Sequence, residues 1–145
     1  MSTLVSGATG RLGSRFVPRL LGEGEPVRVV VRNRGAAEPL RAAGAEVVLG
    51  DLRERDVALE AVDGVDAVVH LAAAFRGVSD EEARQVNHAA TVDLARAALD
   101  SSAERFVSPA QTSCTGRAAV GPRARATSLR RLAPTRRASS RRRTR

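Results

Sequence analysis

The chain has 145 residues, a formal net charge of +8 and a single cysteine. One domain of this size can bury roughly two-thirds of its unfolded surface; the lone Cys114 excludes an internal disulfide, and no apolar run is long enough to span a membrane. The positive charge belongs to one end: residues 1–105 carry thirteen Arg and all sixteen acidic residues, whereas residues 106–145 carry eleven Arg and no carboxylate.

Thr3 to Ser6 form a mainly apolar run that stops at Gly7, which predicts a first strand entering a tight turn. Gly10 and Gly13 follow at intervals of three. Gly7 permits the turn, Gly10 removes a Cβ that would keep a pyrophosphate from the backbone, and Gly13 lets the next helix sit tightly on the sheet. Thr9, Arg11 and Leu12 lie between them, at the positive end of that helix, where amide N–H groups face an anion. The helix is expected over Ser14 to Leu21, with Phe16, Val17, Leu20 and Leu21 on one face, bent by Pro18 and ended by Gly22 and Gly24. Val27 to Val31 is near-continuously apolar, as in a strand buried on both faces of a parallel sheet. Arg32, Asn33 and Arg34 follow it.

A short helix is expected around Ala36 to Ala43, ending at Gly44, then a strand at Glu46 to Leu49 and the segment Gly50-Asp51-Leu52. Another helix spans about Asp56 to Val62, and Asp66 to Ala74 reads as a fourth strand with its exit at Leu71, Ala72 and Ala73. Ser79 and Glu82 have capping-box spacing and start a long helix to about Leu99. That helix carries Asn87 and, one turn on, Thr91. Arg105 to Val107 begins a fifth strand. Strands alternating with helices predict an α/β, doubly wound parallel sheet of order 3-2-1-4-5 with right-handed crossovers, and ligands at the carboxyl ends of its strands.

The spacing G-x-x-G-x-x-G at residues 7–13, between a strand and a helix, resembles the short-chain dehydrogenase/reductase superfamily, in particular its extended and atypical members. These are the NAD-dependent epimerase/dehydratase and NAD(P)H-binding families. The resemblance covers about residues 1–107, the cofactor half, and implies a Rossmann-like domain in which Gly7, Thr9, Gly10, Arg11, Leu12 and Gly13 hold a dinucleotide. It also implies that Asp51 and Leu52 contact the adenine, that Leu71, Ala72 and Ala73 are small so that a ribose can pack on their backbone, and that Asn87 is the family's helix asparagine. Asp51 as a cap of its own turn, and Asn87 as a solvated helix position, are the alternatives. An NAD enzyme needs a carboxylate after the second strand for the ribose 2′-hydroxyl; Arg32 and Asn33 stand there instead, with Arg11 nearby. That substitution favours NADP(H) over NAD(H). His70 reads as a satisfied core residue, and His88 has no partner that the sequence identifies.

The resemblance implies reduction, epimerisation or dehydration of a nucleotide sugar or related carbonyl compound, by a tyrosine that a lysine four residues later activates. This chain contains no tyrosine and no lysine. No catalytic residue can be assigned, and with one cysteine no metal site is expected. The readings are thus the cofactor-binding portion of an oxidoreductase, catalytically incomplete as written, or a non-catalytic NADP(H)-binding or redox-sensing module. A third is a polyanion binder acting through the basic tail.

The tail has a further reading. If each new codon takes the third base of one residue and the first two of the next, Ser108 to Gly116 can encode Val-Ser-Ser-Ala-Asn-Leu-Val-Tyr-Gly, and Pro134 to Ser139 can encode Tyr-x-x-Ser-Lys. A one-register frameshift near Val107 would therefore explain the arginine excess and the missing dyad together. The alternative is a genuine arginine-rich arm attracted to polyanions by counterion release, although no aromatic follows Phe106 and no amphipathic period appears, which argues against nucleic acid. In either case residues 108–145 are expected to be disordered, leaving an incomplete sheet edge that invites aggregation or dimerisation. The N-terminus enters a strand directly, so the expected location is cytoplasmic and without membrane contact.

Overall fold

Successive side chains of a strand point to opposite faces of its sheet, and in this protein both faces are apolar. A computed structural model describes residues 1–74, 77–101 and 103–109. The expectations for the arginine-rich tail fall, from residue 110 onward, outside the described residues. The elements in chain order are β1 (Thr3–Ser6), α1 (Gly13–Gly22), β2 (Val27–Val31), α2 (Arg34–Ala42), β3 (Glu46–Leu49), α3 (Arg55–Val62) and β4 (Ala67–His70). After these come α4 (Asp80–Arg84), a π-helical segment (Gln85–Ala89), α5 (Ala90–Asp100) and β5 (Arg105–Val107). All strand pairs are parallel, in the order β3-β2-β1-β4-β5. This is the doubly wound sheet that the alternation of elements predicts.

Leu4, Val30, Val48 and Val68 form one core layer with Ala58, Ala61 and Val62 of α3 and Leu94 and Ala97 of α5. Val5, Val27 and Val29 form the other with Val17 of α1. Leu4 and Leu94 are fully enclosed, and burying such a side chain is worth about 2 kcal/mol.

Three local features depart from the sequence expectations. The second helix starts at Arg34, two residues early, because the Asn33 Oδ1 accepts the Gly35 N–H at 2.7 Å and caps it. Arg28 interrupts the apolar run of β2, yet it is mostly buried: its guanidinium donates to the carbonyls of Glu60, Ala61 and Asp63 at the end of α3 and pairs with Glu46 on β3 at 2.9 Å. A cation at a helix C-terminus satisfies carbonyls that have no intrahelical partner. The third departure is the π segment, which breaks the long helix; the Ala90 N–H reaches back to the Gln85 carbonyl, five residues away. The start of that helix is as expected, with Ser79 Oγ accepting the Glu82 N–H. Among the described residues, no helix is long and apolar enough to cross a membrane.

Candidate dinucleotide site

The carboxyl end of β1 leads directly into the glycine turn. Gly7 has φ +71°, and a Cβ there would stand 2.6 Å from the Ala72 N and 2.7 Å from the Leu71 carbonyl carbon. The turn therefore lies directly against the backbone leaving β4. A Cβ on Gly13 would collide with the Gly7 carbonyl oxygen and with Ala8, so the first turn of α1 is drawn onto the loop before it. Gly10 N–H closes that loop on the Gly7 carbonyl at 3.0 Å. Thr9, Gly10, Arg11 and Leu12 are exposed. Among the described residues, the amides of Arg11, Leu12 and Gly13 donate to no backbone or side-chain acceptor. Open amides at a helix N-terminus form an anion cradle, which fits the pyrophosphate of a dinucleotide.

Across from this turn, a cavity of about 310 Å³ is lined by the β4 exit from His70 to Ala73, by Asn87 and Thr91, and by Ser108 and Pro109. The structure brings Leu71, Ala72, Ala73 and Asn87 together on this cavity. Asn87 clamps the β4 exit: its Oδ1 accepts the Ala74 N–H at 2.8 Å and its Nδ2 donates to the Ala74 carbonyl at 2.7 Å.

Four polar residues escaped or only grazed the sequence reading. Ser6, His70 and Thr91 form a hydrogen-bonded chain that is buried at Ser6 and His70 and part-buried at Thr91, and Ser108 lies where the tail was expected to begin. Only the parallel register that sets Ser6 beside His70 reveals the first pair. The position of Ser108 just past β5 was a usable signal, since residues at strand exits line sites in such sheets. His88 is exposed on the π segment.

The far side of the site is a charged rim. Asp51 Oδ1 accepts the Arg53 N–H at 3.0 Å and its Oδ2 pairs with the Arg53 guanidinium at 2.7 Å, so the carboxylate caps its own turn. The hydrogen bond from Arg53 holds the Asp51 carboxyl below the ordinary carboxylate range; partial burial opposes this, and the charges of Arg53 and Arg32 reinforce it. Leu52 is half-buried against the α3 layer. Arg32 is exposed, and Asn33 is engaged in capping α2.

The NAD dependent epimerase/dehydratase family model matches residues 3–138. The resemblance is therefore not confined to the N-terminal half and runs past residue 107, into the segment expected to be tail. Sterol demethylase protein B of Methylococcus capsulatus is 36% identical over 124 residues, 84% of this chain and 37% of that protein. The photosystem II assembly factor Ycf39 of Guillardia theta is 35% identical over 107 residues, 74% of this chain and 34% of its own length. A short-chain dehydrogenase/reductase superfamily protein from Agrobacterium tumefaciens, solved with bound NAD, superposes with a TM-score of 0.65 at 30% identity, covering 74% of this chain and 32% of that one. The chain thus spans about a third of the length of these relatives.

These findings correct the expected preference for NADP(H) over NAD(H). The matching family is described as NAD dependent, and the similar structure holds NAD. The physical reason lies in the rim: Arg32 is solvated and its charge acts on Asp51, while Asn33 is turned to its own helix. An exposed guanidinium contributes little by itself and is no 2′-phosphate pocket.

Proposed function

Since the chain belongs to the NAD dependent epimerase/dehydratase family, we propose that it binds NAD(H) at the carboxyl ends of β1, β3 and β4 and acts as a non-catalytic binding module. The observation that carries this reading is the glycine turn packed on the β4 exit with the amides of Arg11, Leu12 and Gly13 open. Gly7, Thr9, Gly10, Arg11, Leu12 and Gly13 receive the pyrophosphate, Asp51 and Leu52 border the adenine, and Leu71, Ala72 and Ala73 offer a flat backbone to the ribose. Bound NAD(H) supplies hydride chemistry, but proton transfer to or from a substrate needs an acid or base of matched pKa. The chain has no tyrosine or lysine to provide the family's pair. A relative named for assembly rather than for a reaction supports the module reading.

A second reading, the cofactor portion of an oxidoreductase or epimerase acting on a carbonyl compound, draws support from a relative named for a reaction, sterol demethylase protein B. Fluorescence titration of NADH into the full chain tests the binding claim; saturable enhancement at one site supports it, and no enhancement at millimolar NADH removes it. Resequencing the codons for Glu104 to Gly116 separates the two readings. An inserted or deleted base that restores Tyr and Lys favours the enzyme, and an unchanged frame favours the module.

A further inference from the structure

Six hydrogen bonds close a circuit around the β4 exit. Thr91 Oγ1 donates to the Asn87 carbonyl at 3.1 Å, so its proton is engaged and it must accept from His70 Nε2 at 2.9 Å. The imidazole is consequently the Nε2–H tautomer, and its bare Nδ1 accepts from Ser6 Oγ at 2.6 Å. Ser6 Oγ in turn accepts the Ala72 N–H at 3.3 Å. The two Asn87 side-chain bonds to Ala74 complete the loop. Every donor meets an acceptor: the four bonds from Ala72 through Ser6, His70 and Thr91 to the Asn87 carbonyl run in one direction, and the two between Asn87 and Ala74 are reciprocal. A neutral imidazole suits the central place because it accepts at one ring nitrogen and donates at the other across a rigid spacer. His70 is 3% exposed, stacks obliquely on Phe106 at 6.2 Å, and burial lowers its pKa, which keeps it neutral.

The circuit joins the ends of β1 and β4 to the π segment and α5, and it holds the backbone at Ala72 and Ala74, beside the Leu71–Ala72 peptide on which Gly7 packs. We infer that His70 is a positioning residue for the dinucleotide site: through Ser6 and Thr91 it sets the β4 exit and the glycine turn in the geometry that receives the cofactor. It touches no cofactor atom in this role. The inference rests on the reading of the site as an NAD(H) site.

The test combines two measurements on the full chain. Nitrogen-15 chemical shifts of the His70 ring at pH 7.5 should show Nε2 protonated and Nδ1 as a strong acceptor. Thr91→Val removes the acceptor for Nε2–H and should weaken NADH binding roughly tenfold, the equivalent of one buried hydrogen bond, while Thr91→Ser restores it. An Nδ1–H tautomer in the wild type overturns the inference without any variant. Unchanged affinity in a folded Thr91→Val chain, or failure of Thr91→Ser to rescue, overturns it too. A wild-type chain with the expected tautomer that binds no NADH defeats the proposed function, and with it the positioning of a cofactor site.

Discussion

The two sides of the candidate site are built on different physics. At the ends of β1 and β4 the buried Ser6 and His70 and the part-buried Thr91 carry no formal charge; there, close backbone packing at Gly7 and a hydrogen-bonded circuit leave little freedom. The exits of β2 and β3 are charged, with Arg32 exposed and the part-buried Asp51 paired locally to Arg53. Enclosed groups have one satisfactory arrangement, whereas solvated charges find partners nearby at little energetic consequence. The cofactor preference inferred from the second side is the reading that the comparisons overturn.

If packing governs the first side, the largest effect should come from Gly7→Ala. Its positive φ and the short approach to Ala72 combine strain with overlap, so a loss on the order of 3 kcal/mol and of NADH binding is expected. A thermal melt within about 2 °C of wild type, a shift of roughly half a kcal/mol or less, would break the claim that the turn rests on the β4 exit. Next is Leu94→Ala, which opens the α5 layer beneath the circuit and should cost about 3 kcal/mol in urea unfolding; a cost below about 1 kcal/mol would mean that the layer is loosely packed.

His70 sharpens the comparison through pH. Its folded pKa lies below the ordinary imidazole value, so the unfolded chain takes up a proton first as pH falls. Its contribution to stability is full above about pH 6.5 and declines as pH drops toward its folded value. The melting temperature should fall between pH 7 and pH 5, and His70→Gln should flatten that slope; an equal slope in the variant contradicts the assignment. Asp51 acts in a separate window, because its lowered pKa gives stability that is present above about 3.8 and is lost as pH falls further. Asp51→Asn should therefore cost only about 0.5 kcal/mol near neutrality, measured by chemical unfolding at pH 7. The smallest effect is expected from Arg32→Ala, with the ratio of NAD to NADP affinity unchanged within about twofold. A large rise in that ratio would show that the guanidinium does read a 2′-phosphate.

Strand β3 and strand β5 fall where alternation and turn residues place them, since an apolar run between glycines or polar breaks has few other uses in a parallel sheet. Gly7 was legible for the same reason, as the end of such a run. Asn33 was not, because a polar residue after a strand serves a ligand or the next helix equally well until the Gly35 N–H is seen to lie 2.7 Å away. The circuit required knowledge of register: Ser6 and His70 are 64 residues apart and meet only when β1 and β4 pair. The π segment had no glycine or proline to announce it; the structure shows it by the bond from Ala90 to Gln85. The polar Arg28 in the otherwise apolar β2 caps α3 through the carbonyls of Glu60, Ala61 and Asp63, a partner that nothing in the local sequence marks.

The most direct test of the account is a crystal structure of the full chain grown with NAD. Pyrophosphate density on the amides of Arg11, Leu12 and Gly13, with a ribose over Leu71, Ala72 and Ala73, is the result expected. Cofactor bound elsewhere, or a glycine turn displaced from the β4 exit, would contradict it.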